Sequence, residues 1–544
     1  MHDAAIPLES AALPARHPRA LAPANLLLMI AISAFGAVVG IQLLTTLGIT
    51  PNTSLIGALV AMTLARIPLA VLSGFRSVHV QNLAQTSISS ATFGAANSLI
   101  LPIGIPYVMG MPELILPMLA GVSVAMLLDA YLLYRMFDTP AFPASGAWPL
   151  GVAAAEAIKA GDSGGKQAWL LAGGLVTGMA GGLLKLPMSA FGVAFIGSFG
   201  AMTAFAVGLL LRGYSMPLFG TEIGSHYVPH GMMIGAGLVA LAQVARAMFG
   251  KAAQRAQAAS QGAGATVDAR ADARRMRASF RLGGFGYLAI MAGLALATGL
   301  HAGMPLPLLL GFILYGAFSA FVHELIVGIA AMHSGWFPAF AVALISLLIG
   351  IWIGFPPQAL VVLAGFSAAT GPAFADMGYD LKAGYILRGE GADAAYEREG
   401  RREQLIAAMV GFLVAIVVVL ASYRGLFANH QFAPINNAYA AAIKAGISAD
   451  TARNLLLWAL PGMALQLIGG ARQQLGVLLA TGLLITNPAA GWMVAAGLVV
   501  RAAMLRWQGN AAKERLEVFA GGVIAGDALF CFFSGLTKSL PLKK

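Results

Sequence analysis

Residues 305–331 read PLPLLLGFILYGAFSAFVHELIVGIAA. Apart from His323-Glu324 near the middle, the run carries no ionisable side chain except Tyr315. A helix needs roughly 20 mostly apolar residues to cross a bilayer, and this stretch is longer than that. Backbone groups in lipid must be satisfied within the segment, so such a run is a helix and not an open strand. The same pattern recurs along the chain. Of its 544 residues, 59% are hydrophobic and 10% are charged. Soluble domains usually carry about 25% charged residues. So few charges cannot cover a soluble protein of this length, so the bilayer is part of its solvent.

Hydropathy places spans at 25–48, 53–73, 79–108, 112–135, 167–186, 189–211 and 229–249, then at 283–300, 305–331, 336–355, 357–377, 403–423, 453–470, 472–487, 489–506 and 514–536. The fold class is therefore all-α: a polytopic integral membrane protein with about sixteen helices. Residues 1–24 read as a disordered lead without a compact signal-peptide pattern. Residues 250–282 form a basic cytoplasmic linker with Arg255, Arg270, Arg274, Arg275, Arg277 and Arg281. The linker separates a first membrane half, 25–249, from a second, 283–544, which contains a polar loop at 379–403 with a short helix expected around Ala392 to Arg402. Gly174, Gly178 and Gly182 recur every four residues and put a small-residue stripe on one helix face, suited to close packing.

Topology exposes a conflict. Arg16 and Arg19 favour a cytoplasmic N-terminus, which requires an even number of crossings before a cytoplasmic linker. The first half has an odd number of spans. The suspects are 76–110, long for one span, and 212–230, which carries Pro217, Glu222, His226, Pro229 and His230. A broken or re-entrant helix in either would resolve the count, and whichever segment is irregular is the first place to look for a substrate site.

The halves also share motifs. Ala157-Ile158-Lys159-Ala160-Gly161 recurs as Ala442-Ile443-Lys444-Ala445-Gly446. Phe191-Gly192-Val193 matches Leu475-Gly476-Val477, and Gly231-Met232-Met233-Ile234 matches Gly521-Gly522-Val523-Ile524. The order holds and the displacement along the chain is nearly constant. Duplication predicts two tandem repeats with a substrate site between them.

The net charge of +11 lies mostly between apolar segments, which argues for cytoplasmic loops rather than nucleic-acid binding. A single cysteine, Cys531, excludes an intrachain disulfide and argues against a cysteine-ligated cluster. Neither a Walker loop nor HExxH is present, so nothing points to an ATP-driven pump or an intramembrane metalloprotease. No cofactor is implied.

Ionisable residues inside spans are functional candidates. His323 and Glu324 lead, as carriers of a coupled proton. They are adjacent, so they point about 100° apart and do not simply pair with each other. His226 and His230 have the four-residue spacing of a metal pair, but Pro229 between them argues against a regular helix, and no metal site is assigned. Asp129 and Asp527 sit nearer span ends, where solvation is an equal reading. Gln85, Thr86 and Ser89 form one polar patch at helical spacing, suited either to a peptide or chelate or to holding helices together. Glu156 and Lys159 are three apart and positioned to pair. Asp380 and Lys382 mark a membrane boundary, as anchors or gates.

Four motifs carry a family resemblance. Asn82-Leu83-Ala84-Gln85-Thr86-Ser87-Ile88-Ser89 is similar to N-x-x-Q-T-x-A-S. Trp148-Pro149-Leu150-Gly151-Val152-Ala153-Ala154-Ala155-Glu156, followed by Ile158-Lys159-Ala160-Gly161, resembles F-P-x-G-x-A-x-A-E-x-x-K-A-G with Trp for Phe. Asp380-Leu381-Lys382-Ala383-Gly384-Tyr385-Ile386-Leu387 resembles D-L-K-T-G-Y-x-L, and Gly522-Val523-Ile524-Ala525-Gly526-Asp527-Ala528-Leu529 resembles G-L-I-A-G-E-A-L. In this order they resemble the oligopeptide transporter family, in a bacterial-type member related to the yellow-stripe-like metal-chelate carriers. Departures occur at Ala383, where the family has Thr, and at Gly328–His333, where it tends to a Thr-Gly-rich stretch. The chain is also short for the family.

The resemblance implies a secondary transporter in the bacterial inner membrane that moves small peptides with protons by alternating access. A metal-chelate carrier, a membrane-embedded enzyme and a passive channel are the rival readings. The partners implied are the lipid bilayer, protons and a small peptide or chelate. The sequence leaves homo-oligomerisation open.

Overall fold

The computed structural model describes residues 16–47, 74–163, 165–249, 265–335, 339–446, 449–509 and 511–539. These are helical almost throughout, and no strand occurs among them. Among the described residues, eight helical stretches are long and apolar enough to cross a membrane, one of them, Pro357–Leu387, made of two half-helices, and shorter apolar helices lie between them. The protein is an all-α, polytopic membrane protein. The span expected at 53–73, the lead before residue 16 and linker residues 250–264 lie outside the described residues.

In chain order the helices are α1 (Pro23–Leu47), α2 (Val78–Val108), α3 (Ile115–Met136), α4 (Pro149–Ser163), α5 (Gly165–Leu183), α6 (Met188–Ile196), α7 (Phe199–Gly213) and α8 (Val228–Phe249). They continue as α9 (Ala265–Ala297), α10 (Leu306–Ser334), α11 (Ala339–Ile353), α12 (Pro357–Ala369), α13 (Pro372–Leu387) and α14 (Ala394–Ala428). The last are α15 (Asn436–Ala445), α16 (Ala449–Gln473), α17 (Leu475–Leu484), α18 (Pro488–Gln508) and α19 (Ala511–Ser539).

Several sequence boundaries are corrected. Residues 265–282, read as linker, form the first part of α9, and the helix continues into a span. Most of the segment 379–403 is helical and only 388–393 is a loop. Helix α13 runs to Leu387, and the short helix expected around Ala392 to Arg402 is the start of α14, which begins at Ala394 after an Asp393 cap whose carboxylate accepts the N–H groups of Ala395 and Tyr396. The polar residues Asp380, Lys382, Arg388, Glu397 and Arg401 misled because they are buried and satisfied within the protein rather than by water.

The irregular first-half segment is 189–211. It splits at Gly197-Ser198 into α6 and α7, and the Ser198 hydroxyl caps α7. Helix α6 has 9 residues. At 1.5 Å per residue it is about 14 Å long, under half of a hydrocarbon core of about 30 Å. The suspect 212–230 is a connector instead: one short helix, Ser215–Phe219, then turns through Gly220 and Tyr227 at φ +67° and +56°. The other suspect, α2, is continuous and buried, with a seven-residue π-helical stretch at Gly94–Ile100.

A true break occurs in the second half. The span read at 357–377 is two half-helices, α12 and α13, joined at Thr370-Gly371. Gly371 has φ +99°, a conformation that disfavours any side chain, and Pro372 then restarts the helix.

The glycine stripe packs helix on helix. A Cβ built on Gly174 would lie 3.0 Å from the Gly522 Cα of α19, and one on Gly178 would lie 2.9 Å from the Asp527 nitrogen. Gly522 and Gly526 meet α5 in the same way. Only residues without side chains allow these backbones to approach so closely.

The helices that carry and follow each AIKAG motif come in one order. Short α4, long α5, short α6, then α7 and α8 are matched by short α15, long α16, short α17, then α18 and α19. Their packing is reciprocal: α5 lies on α19 and α8 on α16, while α7 lies on α17 and α6 on α18. Large apolar side chains such as Leu27, Phe285 and Ile468 face outward, as lipid requires. Trp169 and Trp507, at helix ends and each 80% exposed, suit the membrane–water boundary.

Candidate functional site

Helix α13 organises the interior through two faces. On one, Asp376 and Asp380 lie one turn apart and meet Ser89 and Gln85 of α2, also one turn apart. The Ser89 hydroxyl donates to Asp376 Oδ1 at 2.6 Å, and the Gln85 amide donates to Asp380. Asn82 Nδ2 donates to Gln85 Oε1 at 2.7 Å. Gln404 Nε2 of α14 reaches both the Asp380 carbonyl (2.7 Å) and Thr86 Oγ1 (3.2 Å). Every one of these groups is buried. Asp376 Oδ2, Asp380 Oδ2 and Asn82 Oδ1 have no partner.

At the end of α13 the buried Arg388 closes the network. It donates to Glu397 at 2.7 and 3.0 Å and to Gln404 Oε1 at 2.7 Å. Arg401 bonds Glu397 at 2.6 Å and Asp138 at 2.9 Å. Burial draws the Arg388 guanidinium below its ordinary pKa, and Glu397 opposes that shift. The N-terminal segment docks beside it. The Ala20 N–H donates to Glu403 at 2.7 Å, and the His17 ring sits 5.1 Å from His79 and 5.4 Å from Tyr396. Burial lowers the His17 pKa to about 4.

The other face of α13 carries Lys382 and Tyr385 into a cavity of about 840 Å³. Acidic Glu156, Asp162, Glu390 and Glu517 and basic Lys159, Lys382, Arg501 and Lys513 line it. Glu156 and Lys159 form an ion pair at 3.2 Å. Lys382 Nζ donates to the Ala144 carbonyl at 2.8 Å and lies over the Tyr385 ring.

Three further residues gather at the break above α13. Asp129 Oδ2 accepts the Gly371 N–H at 2.8 Å, and the Tyr287 hydroxyl of α9 reaches both Asp129 and, at 2.8 Å, Glu324 Oε2. His323 turns away from Glu324. Its Nε2 donates to the Ala339 carbonyl at 2.8 Å, and its Nδ1 lies 3.2 Å from Thr370 Oγ1.

Other sequence candidates lie elsewhere. Glu222 pairs with Arg212, and His226 is exposed beside Thr221. Helix α8 begins only at Val228, so His226 and His230 share no helix face. Among the described residues no group of three or more His, Cys, Asp or Glu is placed to hold a metal. Asp527 accepts the Ser189 N–H at 2.7 Å and caps α6. Asp129 and Asp527 are buried, not solvated ends. Helices packed around them cover positions that lie near span ends in sequence. Asp380 and Lys382 likewise lie inside the bundle.

Asp376, Tyr287, Arg388 and Gln404 were not singled out from sequence. Asp376 had a signal, as an ionisable group within an apolar run. Thr370-Gly371-Pro372 had the Gly-Pro signature of a break.

The family described as OPT oligopeptide transporter protein matches residues 22–215 and 219–537. The chain belongs to the oligopeptide transporter family. Comparison with curated proteins finds no match. As a member of this family the protein is a membrane transporter and not an enzyme. The Gln-Thr-Ser and Asp-Leu-Lys-Ala-Gly-Tyr motifs, nearly 300 positions apart in the chain, are the two surfaces that meet between α2 and α13.

Proposed function

We propose that this transporter moves oligopeptides or peptide-like molecules together with protons, by alternating access between two repeat halves. The cavity carries the reading. Its volume lies within the usual range for small-molecule sites, and its wall carries both charges. A short peptide is a zwitterion whose ammonium and carboxylate ends match such a wall. Helix α4 of the first half and α13, α18 and α19 of the second contribute to it, which suits a site between halves. The reciprocal packing of α4–α8 with α15–α19 supports two repeats that rock against each other. A bacterial plasma membrane is the proposed setting.

The test is uptake of tri-alanine into proteoliposomes with an imposed inward proton gradient. Gradient-driven accumulation that competing peptides abolish supports the reading. Wild-type uptake indifferent to the gradient overturns the coupling. Competition by an iron-loaded chelator, but not by peptides, moves the substrate to metal chelates.

A further inference from the structure

Asp129, Tyr287 and Glu324 come from α3, α9 and α10 and are fully enclosed, and none of the ion pairs among the described residues includes them. The Tyr287 hydroxyl has a single proton but faces two carboxyl groups. It donates to one. The second contact is a hydrogen bond only when that carboxyl carries its own proton and donates to the phenol oxygen. Two ionised carboxylates sharing one donor here would leave a buried charge uncompensated.

The remaining oxygens identify the acid. Asp129 is surrounded by donors, with the Tyr287 hydroxyl on Oδ1 and the Gly371 N–H on Oδ2, as suits an ionised carboxylate. Glu324 Oε1 has no partner, as suits a neutral carboxyl. We infer that Glu324, Tyr287 and Asp129 form a proton relay that ends on the break in the helix pair α12–α13. This inference rests on the proton-coupled reading above and names its site.

The step balances internally. The Glu324 O–H breaks as its proton passes to the Tyr287 oxygen, and the Tyr287 O–H breaks as that proton passes to Asp129. The charge moves from Asp129 to Glu324. The Gly371 N–H bond to Asp129 Oδ2, which holds the break, then loses its charge assistance and weakens. Helix α13 starts at that break and carries Lys382 and Tyr385 into the cavity. Proton position and cavity shape thus share one hinge.

Neighbouring ionisable groups are engaged elsewhere. On α10, His323 bonds Ala339 and faces Thr370. On α13, Asp376 and Asp380 face α2, the Tyr379 ring meets Trp148 edge-on, and Lys382 bonds Ala144. On α14, Glu397 and Arg401 bond each other, and Tyr423 meets Arg424. Tyr107 of α2 bonds the Phe427 carbonyl, Arg212 of α7 pairs with Glu222, Glu156 of α4 pairs with Lys159, and the His230 ring of α8 lies tilted against Tyr227. Helices α11 and α12 carry no ionisable side chain.

The experiment compares two readouts in proteoliposomes of the full chain: gradient-driven tri-alanine accumulation, and tri-alanine exchange without a gradient. Glu324→Gln and Tyr287→Phe are expected to lose accumulation by about tenfold or more while exchange persists. Tyr287→Phe is decisive, because it breaks the relay and keeps both carboxyls. Accumulation at wild-type level in both variants overturns the relay and leaves proton coupling intact. Wild-type indifference to the gradient overturns the coupling reading and the relay with it. Infrared spectroscopy of the wild type and of Tyr287→Phe reads the protonation state without any transport assay. A protonated-carboxyl stretch at neutral pH that shifts in Tyr287→Phe supports the relay, and its absence overturns it.

Discussion

The cavity and the interior beside it treat charge in opposite ways. In the cavity, carboxylates and cations alternate around open space, and Lys159 is 40% exposed even while paired with Glu156. In the interior, Asp129, Glu324, Asp376 and Asp380 lie with no cation bonded to any of them. A ligand site needs charges that water can reach until the ligand replaces it. A proton site needs carboxyls that no cation pins in the ionised form. Helix α13 presents one face to each region, the arrangement that the proposed coupling of substrate and proton requires.

The comparison breaks most readily at the end of α13. Arg388→Ala leaves Glu397 Oε2 and Gln404 Oε1 buried without a donor, while Arg401 still holds Glu397 Oε1, with an expected loss of about 3 kcal/mol by thermal unfolding in detergent. A negligible change would mean that water reaches this end. Asp380→Ala leaves the Gln85 amide without its acceptor and should cost about 1–3 kcal/mol. The isosteric Asp380→Asn should recover much of that, if the carboxyl is neutral.

Cavity substitutions should invert the pattern. Lys382→Ala is expected to raise the KM for tri-alanine by about tenfold or more, with gradient dependence kept. Glu156→Gln should shift stability by only about 0–1 kcal/mol, because its pair with Lys159 is partly solvated. A large stability loss in Glu156→Gln would place the pair in the dry class.

The smallest effect is at the N-terminal segment. His17 is held neutral, with its pKa lowered from 6.5 to about 4. The unfolded chain therefore binds the proton first as pH falls, so docking is intact above 6.5 and weakens as pH drops toward 4. The protection of residues 16–22, measured relative to intrinsic amide exchange at each pH, should fall over that window. Protection that is flat with pH would show that Glu399 and Glu403 alone hold the segment.

Particular residues show what was legible. The α2 patch could be read as one face because helical spacing is local, and the stripe at Gly174, Gly178 and Gly182 for the same reason. The suspect 212–230 misled because His, Glu and Pro in a connector look like those in a broken helix. Asp129 misled because distance from a span end in sequence says nothing about which helix covers it.

By itself the sequence determined the membrane, the helices, the repeated motifs and the family, because hydropathy, spacing and motif order are properties of neighbours along the chain. Tertiary structure alone decided that Gln85 and Ser89 face Asp380 and Asp376, that Gly371 breaks a span against Asp129, and that Tyr287 bridges two acids. The partner of a buried polar group is set by which helices pack together. That choice depends on contacts between residues hundreds of positions apart.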